Sequence, residues 1–376
     1  FTETAGAKRK WTAIDSTIGE AAFVGIPDVT LEVDNTHIIM NKKATDNTVI
    51  DFKAMETAGN AFKATTGVNA AGEVQTVTFA IDGAKGDILQ VYGHATINLF
   101  DFVTVEGGFG FEKSSRTVKV YNPITKADTE AATNVLVFGM ADVNAFAGYK
   151  GDLEDTADDI GLQFTGVDFA LATFTETAGA KRKWTAIDST IGTAAFVGIP
   201  DVTLSVDNTH IIMNKKATDN TIIDFKAMQT AGNAFEATTG VNGDGEVQRV
   251  TFTTDGAKGD LLQVYGHAEV DLFNVVTLRS GFAFEKSSSV VKVYNTISRT
   301  YADVNTDMLV FGMTDGDALV GYAGEAPDGS EDFGLRFTDV NLALVTLTEK
   351  AGARRKWTAV DSTIGTAEFV GIQEIT

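Results

Sequence analysis

Two stretches of the 376-residue chain concentrate the oxygen ligands that a hard cation needs. Residues 151–161 read GDLEDTADDIG and carry Asp152, Glu154, Asp155, Asp158 and Asp159. Residues 324–334 read GEAPDGSEDFG and carry Glu325, Asp328, Glu331 and Asp332. A weaker candidate is the hexapeptide DGAKGD, with Asp82 and Asp87 in one occurrence and Asp255 and Asp260 in another. Carboxylates clustered in a loop between strands are what Ca²⁺ takes, so calcium is the one cofactor the sequence suggests. A solvated acidic loop is the plainer reading and ranks ahead of it, because the formal calcium motifs fail. GGFGFE at 107–112 becomes SGFAFE at 280–285, and NGDGE at 242–246 is matched by NAAGE at 69–73.

Catalytic chemistry has no carrier. The four histidines, His37, His94, His210 and His267, are isolated along the chain, and no HExxH, GxSxG or Walker phosphate loop occurs. His94, directly after Gly93, reads as a packing or turn residue. No enzyme is expected. The net charge of −21 argues against nucleic acid or an anionic lipid surface as the main partner. With no cysteine, disulfide, Fe–S and thiolate–zinc chemistry drop out. No apolar run is long enough to span a bilayer as a helix, so no membrane insertion is expected of this segment. Beginning at Phe1, the chain reads as a piece of a longer polypeptide.

The elements that would position such residues are organised by repetition. Ala5 to Gly19 and Ala178 to Gly192 are both AGAKRKWTAIDSTIG, and Ala351 to Gly365 is AGARRKWTAVDSTIG. Trp11, Trp184 and Trp357 are spaced evenly by 173 residues, and the same offset links His94 to His267 and Phe138 to Phe311. The chain divides into copy 1 (1–173), copy 2 (174–346) and the start of copy 3 (347–376). Such a register is the mark of a tandem array. A looser theme of an apolar residue, a glycine and alternating positions recurs inside each copy, as in VYGHATINLF and VFGMADVNAF.

Differences between the copies show the local structure. From His94 to His267, Ala95, Ile97 and Leu99 stay apolar as Ala268, Val270 and Leu272, while Thr96 becomes Glu269 and Asn98 becomes Asp271. Change at every second residue is the period of a strand with one buried face. Glu106 becomes Arg279 and Thr76 becomes Arg249, replacements suited to solvated positions. Gly107-Gly108, and Ser280-Gly281 after it, suggest a tight hairpin turn. Trp11, Ile14 and Ile18 suggest a short helix, as do Phe52, Met55 and Phe62. The expected fold is all-β: an elongated tandem-repeat architecture, solenoid-like or of stacked antiparallel hairpins, with at most short helices.

The basic phrase then reads as a repeat seam, formed by Lys8, Arg9, Lys10 and Trp11, by Lys181, Arg182, Lys183 and Trp184, and by Arg354, Arg355, Lys356 and Trp357. Tryptophan would cap an apolar layer and the cations would meet an acidic neighbouring surface. A nucleic-acid contact by the same residues conflicts with the acidic chain. The runs GDILQVYGHATINLFDFVTVEGGFGFEK (Gly86 to Lys113), VLVFGMADVNAFAGY and KRKWTAIDSTIGEAAFVGIPDVTLEV resemble the repeats of giant bacterial secreted and surface proteins, adhesin-like or hemolysin-type. The resemblance implies export, an extended β-rich body and calcium. Together these readings anticipate a structural segment of a long extracellular or cell-surface fibre, stalk or adhesin shaft. Its partners would be adjacent copies of itself, within the chain or as a homopolymer. The alternative is a repeated carbohydrate- or cation-binding surface module.

Overall fold

The computed structural model describes residues 1–22, 24, 29–150, 159–324 and 329–371. Its first strands are β1 (Thr12–Ala22) and β2 (Val29–Lys42), followed by α1 (Phe52–Thr57), β3 (Phe62–Val68) and β4 (Val74–Phe79). Then come β5 (Ile88–Leu99), β6 (Val103–Asn122), β7 (Ala127–Tyr149) and β8 (Ile160–Glu176). The series recurs as β9 (Lys183–Val197), β10 (Val202–Lys215), β11 (Ile222–Ile223), α2 (Phe225–Thr230), β12 (Phe235–Val241) and β13 (Val247–Phe252). It continues with β14 (Leu261–Leu272), β15 (Val276–Asn295), β16 (Thr300–Tyr322) and β17 (Phe333–Glu349), then β18 (Lys356–Thr363) and β19 (Thr366–Val370). The protein is all-β, with two short helices among the described residues.

One antiparallel sheet of 15 strands runs in the order β1-β2-β5-β6-β7-β8-β9-β10-β14-β15-β16-β17-β18, with β11 on β6 and β19 on β17. Sequence alternation explains the long strands. In β7, Ala131, Thr133, Val135, Val137, Gly139, Ala141 and Val143 are all buried while their neighbours face outward, a period of two sustained across the strand.

Between β2 and β5, and again between β10 and β14, the chain leaves the sheet. Each excursion is a short helix, a separate two-stranded hairpin (β3-β4 or β12-β13) and a 3₁₀ turn. Asp51 and Asp224 cap the helices, accepting from Ala54 N at 2.9 Å and Ala227 N at 2.8 Å. The second excursion lies on the sheet of copy 1, with β12 against β5, β6, β7 and β8. There Val118, Val120, Val135 and Val137 form one buried cluster with Phe225, Phe235 and Phe252.

Three local expectations are corrected. The Trp11–Ile18 segment is a strand, because β1 pairs with β2 throughout and cross-strand contacts override a weak helical period. The second helix ends at Thr57, and Phe62 belongs to β3. Gly107-Gly108 is no turn: it lies inside the 20-residue β6, at a bulge opposite β7. The turn comes earlier, at Leu99–Phe102, where Phe102 N donates to Leu99 O at 3.0 Å and both central residues, Phe100 and Asp101, have positive φ. Asn98 Oδ1 braces it by accepting from Asp101 N at 3.0 Å. An asparagine-held turn leaves the glycines free for a different use. No described helix is long and apolar enough to cross a membrane.

Candidate functional site

The most elaborate site is the joint where the copy 2 excursion, the plug, fills a socket on the copy 1 sheet. Its floor is made of glycines. A Cβ at Gly108 would lie 2.6 Å from Val241 O, and one at Gly139 would lie 2.5 Å from Thr239 Cα. Gly110 would meet Thr238 O at a still shorter distance. Backbone rests on backbone, an approach that only glycine permits. Beside the floor, Ile222 and Ile223 of β11 pair with Tyr121 and Val120, and Asp224 N donates to Lys119 O at 2.9 Å. The plug therefore adds a short strand to the protruding edge of β6.

The polar centre of the joint is Glu112, 1% exposed. Arg116 Nη2 reaches its Oε1 at 2.6 Å, the Ser114 hydroxyl donates to Oε1 at 2.7 Å, and Gln90 Nε2 donates to Oε2 at 3.2 Å. Lys85 lies 3.9 Å away. Burial pushes the carboxyl up, but Arg116, Lys85 and the hydrogen bonds outweigh it and hold it below its ordinary range. The Arg116 guanidinium also covers the Phe235 ring at 4.8 Å, linking the ionic centre to the plug. Nothing in the sequence spacing of Glu112 marked it; the clue is the charge pattern E-x-S-x-R on alternate positions of one strand face.

The seam residues sit at the edge of this joint. Arg182 ion-pairs with Glu176 and, at 3.5 Å, with Asp219, and it lies 5.1 Å from the centroid of Trp184. Trp184, 1% exposed, donates from Nε1 to Thr221 O at 3.0 Å. In copy 1, Arg9 pairs with Glu3 at 2.8 Å and with Asp46 at 3.4 Å, and Trp11 donates to Thr48 O at 3.1 Å. Arg355 pairs with Glu349 at 2.8 Å and lies 5.2 Å from Trp357. One arginine of each triplet thus has a glutamate six residues upstream and its own tryptophan as partners. Of the flanking lysines, Lys183 and Lys356 pair through their backbones with Thr175 and Thr348, and Lys10 bridges to Thr2. Lys8, Lys181 and Arg354 turn the chain with positive φ.

The acidic candidates separate. Asp152, Glu154, Asp155, Asp158, Glu325 and Asp328 lie outside the described residues. Asp159 is buried, and Asp332 accepts from Gly324 N at 2.9 Å and pairs with Arg336. Glu331 packs its Cβ close to Gly324. Asp82 and Asp255 cap the 3₁₀ turns, each accepting a backbone N–H at 2.9 Å, and pair with Lys53 at 3.2 Å and Lys226 at 3.0 Å. Asp260 accepts from Lys216 N at 3.3 Å, and Asp87 directly precedes β5. Among the described residues, no group of three or more His, Asp or Glu side chains is arranged to hold a metal.

His94 lies inside β5 with Nδ1 3.1 Å from Asp34, and His37 stacks on Tyr92 at 5.1 Å. The Glu106 to Arg279 exchange has a partner change that the sequence comparison did not join to it. Glu269 and Arg279 face each other across β14 and β15 at 2.7 Å, so both substitutions belong to one cross-strand pair. No protein-family model, curated protein or solved structure matches the chain.

Proposed function

We propose that the chain is a structural, self-packing repeat segment of a long extracellular or cell-surface fibre, stalk or adhesin shaft. In this reading its elongated tandem-repeat β architecture grows because each copy completes the core of the one before it. The observation that supports it is the joint itself. Three phenylalanines from residues 225–252 are buried on valines from residues 118–137, so the hydrophobic core belongs to two copies at once. A repeat that cannot bury its apolar face alone gains stability by stacking. Placement outside the cell rests on the resemblance of the repeats to those of secreted surface proteins.

Electron microscopy of chains carrying two, four and six copies tests the reading. A rod of even width that lengthens in proportion to copy number is expected. Separate beads on a flexible string would reject it. Imaging with calcium and then with chelator assigns the acidic loops: collapse of the rod in chelator gives them a structural cation, and an unchanged rod leaves them as solvated surface.

A further inference from the structure

The run VLVFGM at 135–140 carries no polar side chain, and MLVFGM repeats it at 308–313. A strand with one buried face alternates, whereas an unbroken apolar run belongs to a strand buried on both faces. The joint accounts for one side only. Val135 and Val137 turn toward the plug, while Leu136, Phe138 and Met140 turn to the reverse face of the sheet. There Leu136 is 44% and Phe138 45% exposed. The plug-facing Val135 becomes Met308 in copy 2, yet Leu136, Phe138 and Met140 return unchanged as Leu309, Phe311 and Met313.

Ladder register joins these residues into a band. Val91, Phe111, Phe138, Leu171, Ile187 and Met213 stand opposite one another in turn from β5 to β10. In the adjoining row Phe109, Met140 and Phe169 lead, past Ser189, to Ile211. Phe138 and Phe169 meet edge to face with centroids 6.4 Å apart, and the Ser189 hydroxyl is occupied, donating to Asp168 O at 2.8 Å. The band continues through Val264 and Phe284 to Phe311. Phe311 stands in the second row, although its counterpart Phe138 stands in the first, so the band runs slightly oblique to the ladders. Strands β6 to β9 have sheet neighbours on both sides, and the plug of a following copy docks on the opposite face. Added copies therefore lengthen the band without covering it.

Size and charge indicate what covers it. Three same-face positions on the ten strands β5–β10 and β14–β17 span about 1,000 Å² at ordinary strand spacing. Monomers rarely leave so large an apolar patch in water. Two such faces together bury about 2,000 Å², which matches a stable protein interface. The band is bordered by opposite charges, all exposed. On one side Lys113 faces Leu136, and on the other Asp142 lies two residues beyond Met140. Copy 2 repeats both, with Lys286 facing Leu309 and Asp315 two residues beyond Met313.

We propose that the reverse face is the seam of a two-chain filament, packed against the same face of a second copy of this chain. The two-fold axis runs along the sheet from strand to strand. The two arrays then point the same way while facing strands run antiparallel, which sets the lysine border of each chain over the aspartate border of the other. Two sheets packed in this way share one twist about the common axis. The contact uses one surface twice, so it is isologous and closes at two chains. It goes beyond the self-packing reading by giving the array a lateral partner on the face that the joint does not use.

Sedimentation velocity of the full chain across nanomolar to micromolar concentration tests it. A discrete dimer is expected. Phe138→Asp combined with Phe311→Asp puts charge into the seam and lowers dimerisation about a hundredfold or more. Both side chains are more than a third exposed in the single chain, so the fold is retained, as circular dichroism will check. A charge exchange tests the geometry. One chain carries Lys113→Asp with Lys286→Asp, the other Asp142→Lys with Asp315→Lys. Each alone sets like charges together and dimerises about tenfold more weakly, and mixing the two restores a heterodimer. A chain that stays monomeric throughout, including one that binds lipid vesicles instead, would overturn the proposal. So would dimers indifferent to the two phenylalanine substitutions, or charge-exchanged chains that show no preference for each other. Electron microscopy separates this from the joint: the phenylalanine variant is expected to keep the length of the rod and lose half its mass per unit length.

Discussion

Three tryptophans in one repeated phrase occupy different surroundings, and the difference lies in what covers them. Trp184 is sealed between Phe174 of the neighbouring strand and the plug, while Trp11 and Trp357 are half-buried. Trp184→Ala is therefore expected to cost about 3–5 kcal/mol, and Trp11→Ala less than half of that, measured by denaturant unfolding of each variant. The importance of the tryptophans was legible from their spacing. Glu112 was legible only in part: Ser114 and Arg116 follow it on one strand face, but Gln90 and Lys85 come from positions more than twenty residues away. Its depressed pKa sets the sign of a pH effect. A carboxyl held below its unfolded value contributes stability above that value and loses it as pH falls through the folded one. The wild-type joint is thus expected to weaken in the acid range below about pH 4. Glu112→Gln flattens that limb while lowering stability at neutral pH, as a thermal midpoint series over pH will show.

At the scale of elements, the excursion joins two copies only because the sheet beneath it is stripped of side chains. Gly110→Ala is expected to lift β12 from β6, since the added carbon would strike Thr238 O. The expected loss is about 1–3 kcal/mol, seen as faster amide exchange across residues 235–252 with little change in β14–β17. Strand character was readable in the alternation of Ala95, Ile97 and Leu99. The excursion's role was not, because the groups that demand glycine at 108, 110 and 139 lie about a hundred or more residues further on, at Thr238, Thr239 and Val241. Glycine in an alternating segment signals either a turn or a close approach, and only the folded chain separates them. The true turn, Asn98 to Phe102, contains no glycine at all. The short β1 segment misled for a related reason: three apolar residues match a helical period while pairing with β2 decides the backbone.

For the whole molecule, a shared core makes the stability of one copy depend on its neighbour. The sheet runs without interruption from β1 to β18, and the strands of both copies pair directly at β8–β9. Two couplings hold the copies: that backbone ladder, and the plug with its ionic centre. In a nearest-neighbour description of repeat stability, weakening an interface term uncouples the units it joins. Combining Gly110→Ala with Gly139→Val attacks the plug at two backbone contacts and leaves the β8–β9 ladder in place. The intact chain is expected to melt in one cooperative transition that includes both copies. The double variant is expected to show two transitions in scanning calorimetry, the earlier one reporting the copy whose core has lost its cover. If the variant still melts as one unit with an unchanged midpoint, the strand ladder alone carries the coupling. The plug would then be an ornament of the joint rather than its fastening, and the even 173-residue spacing would have to be explained by the sheet.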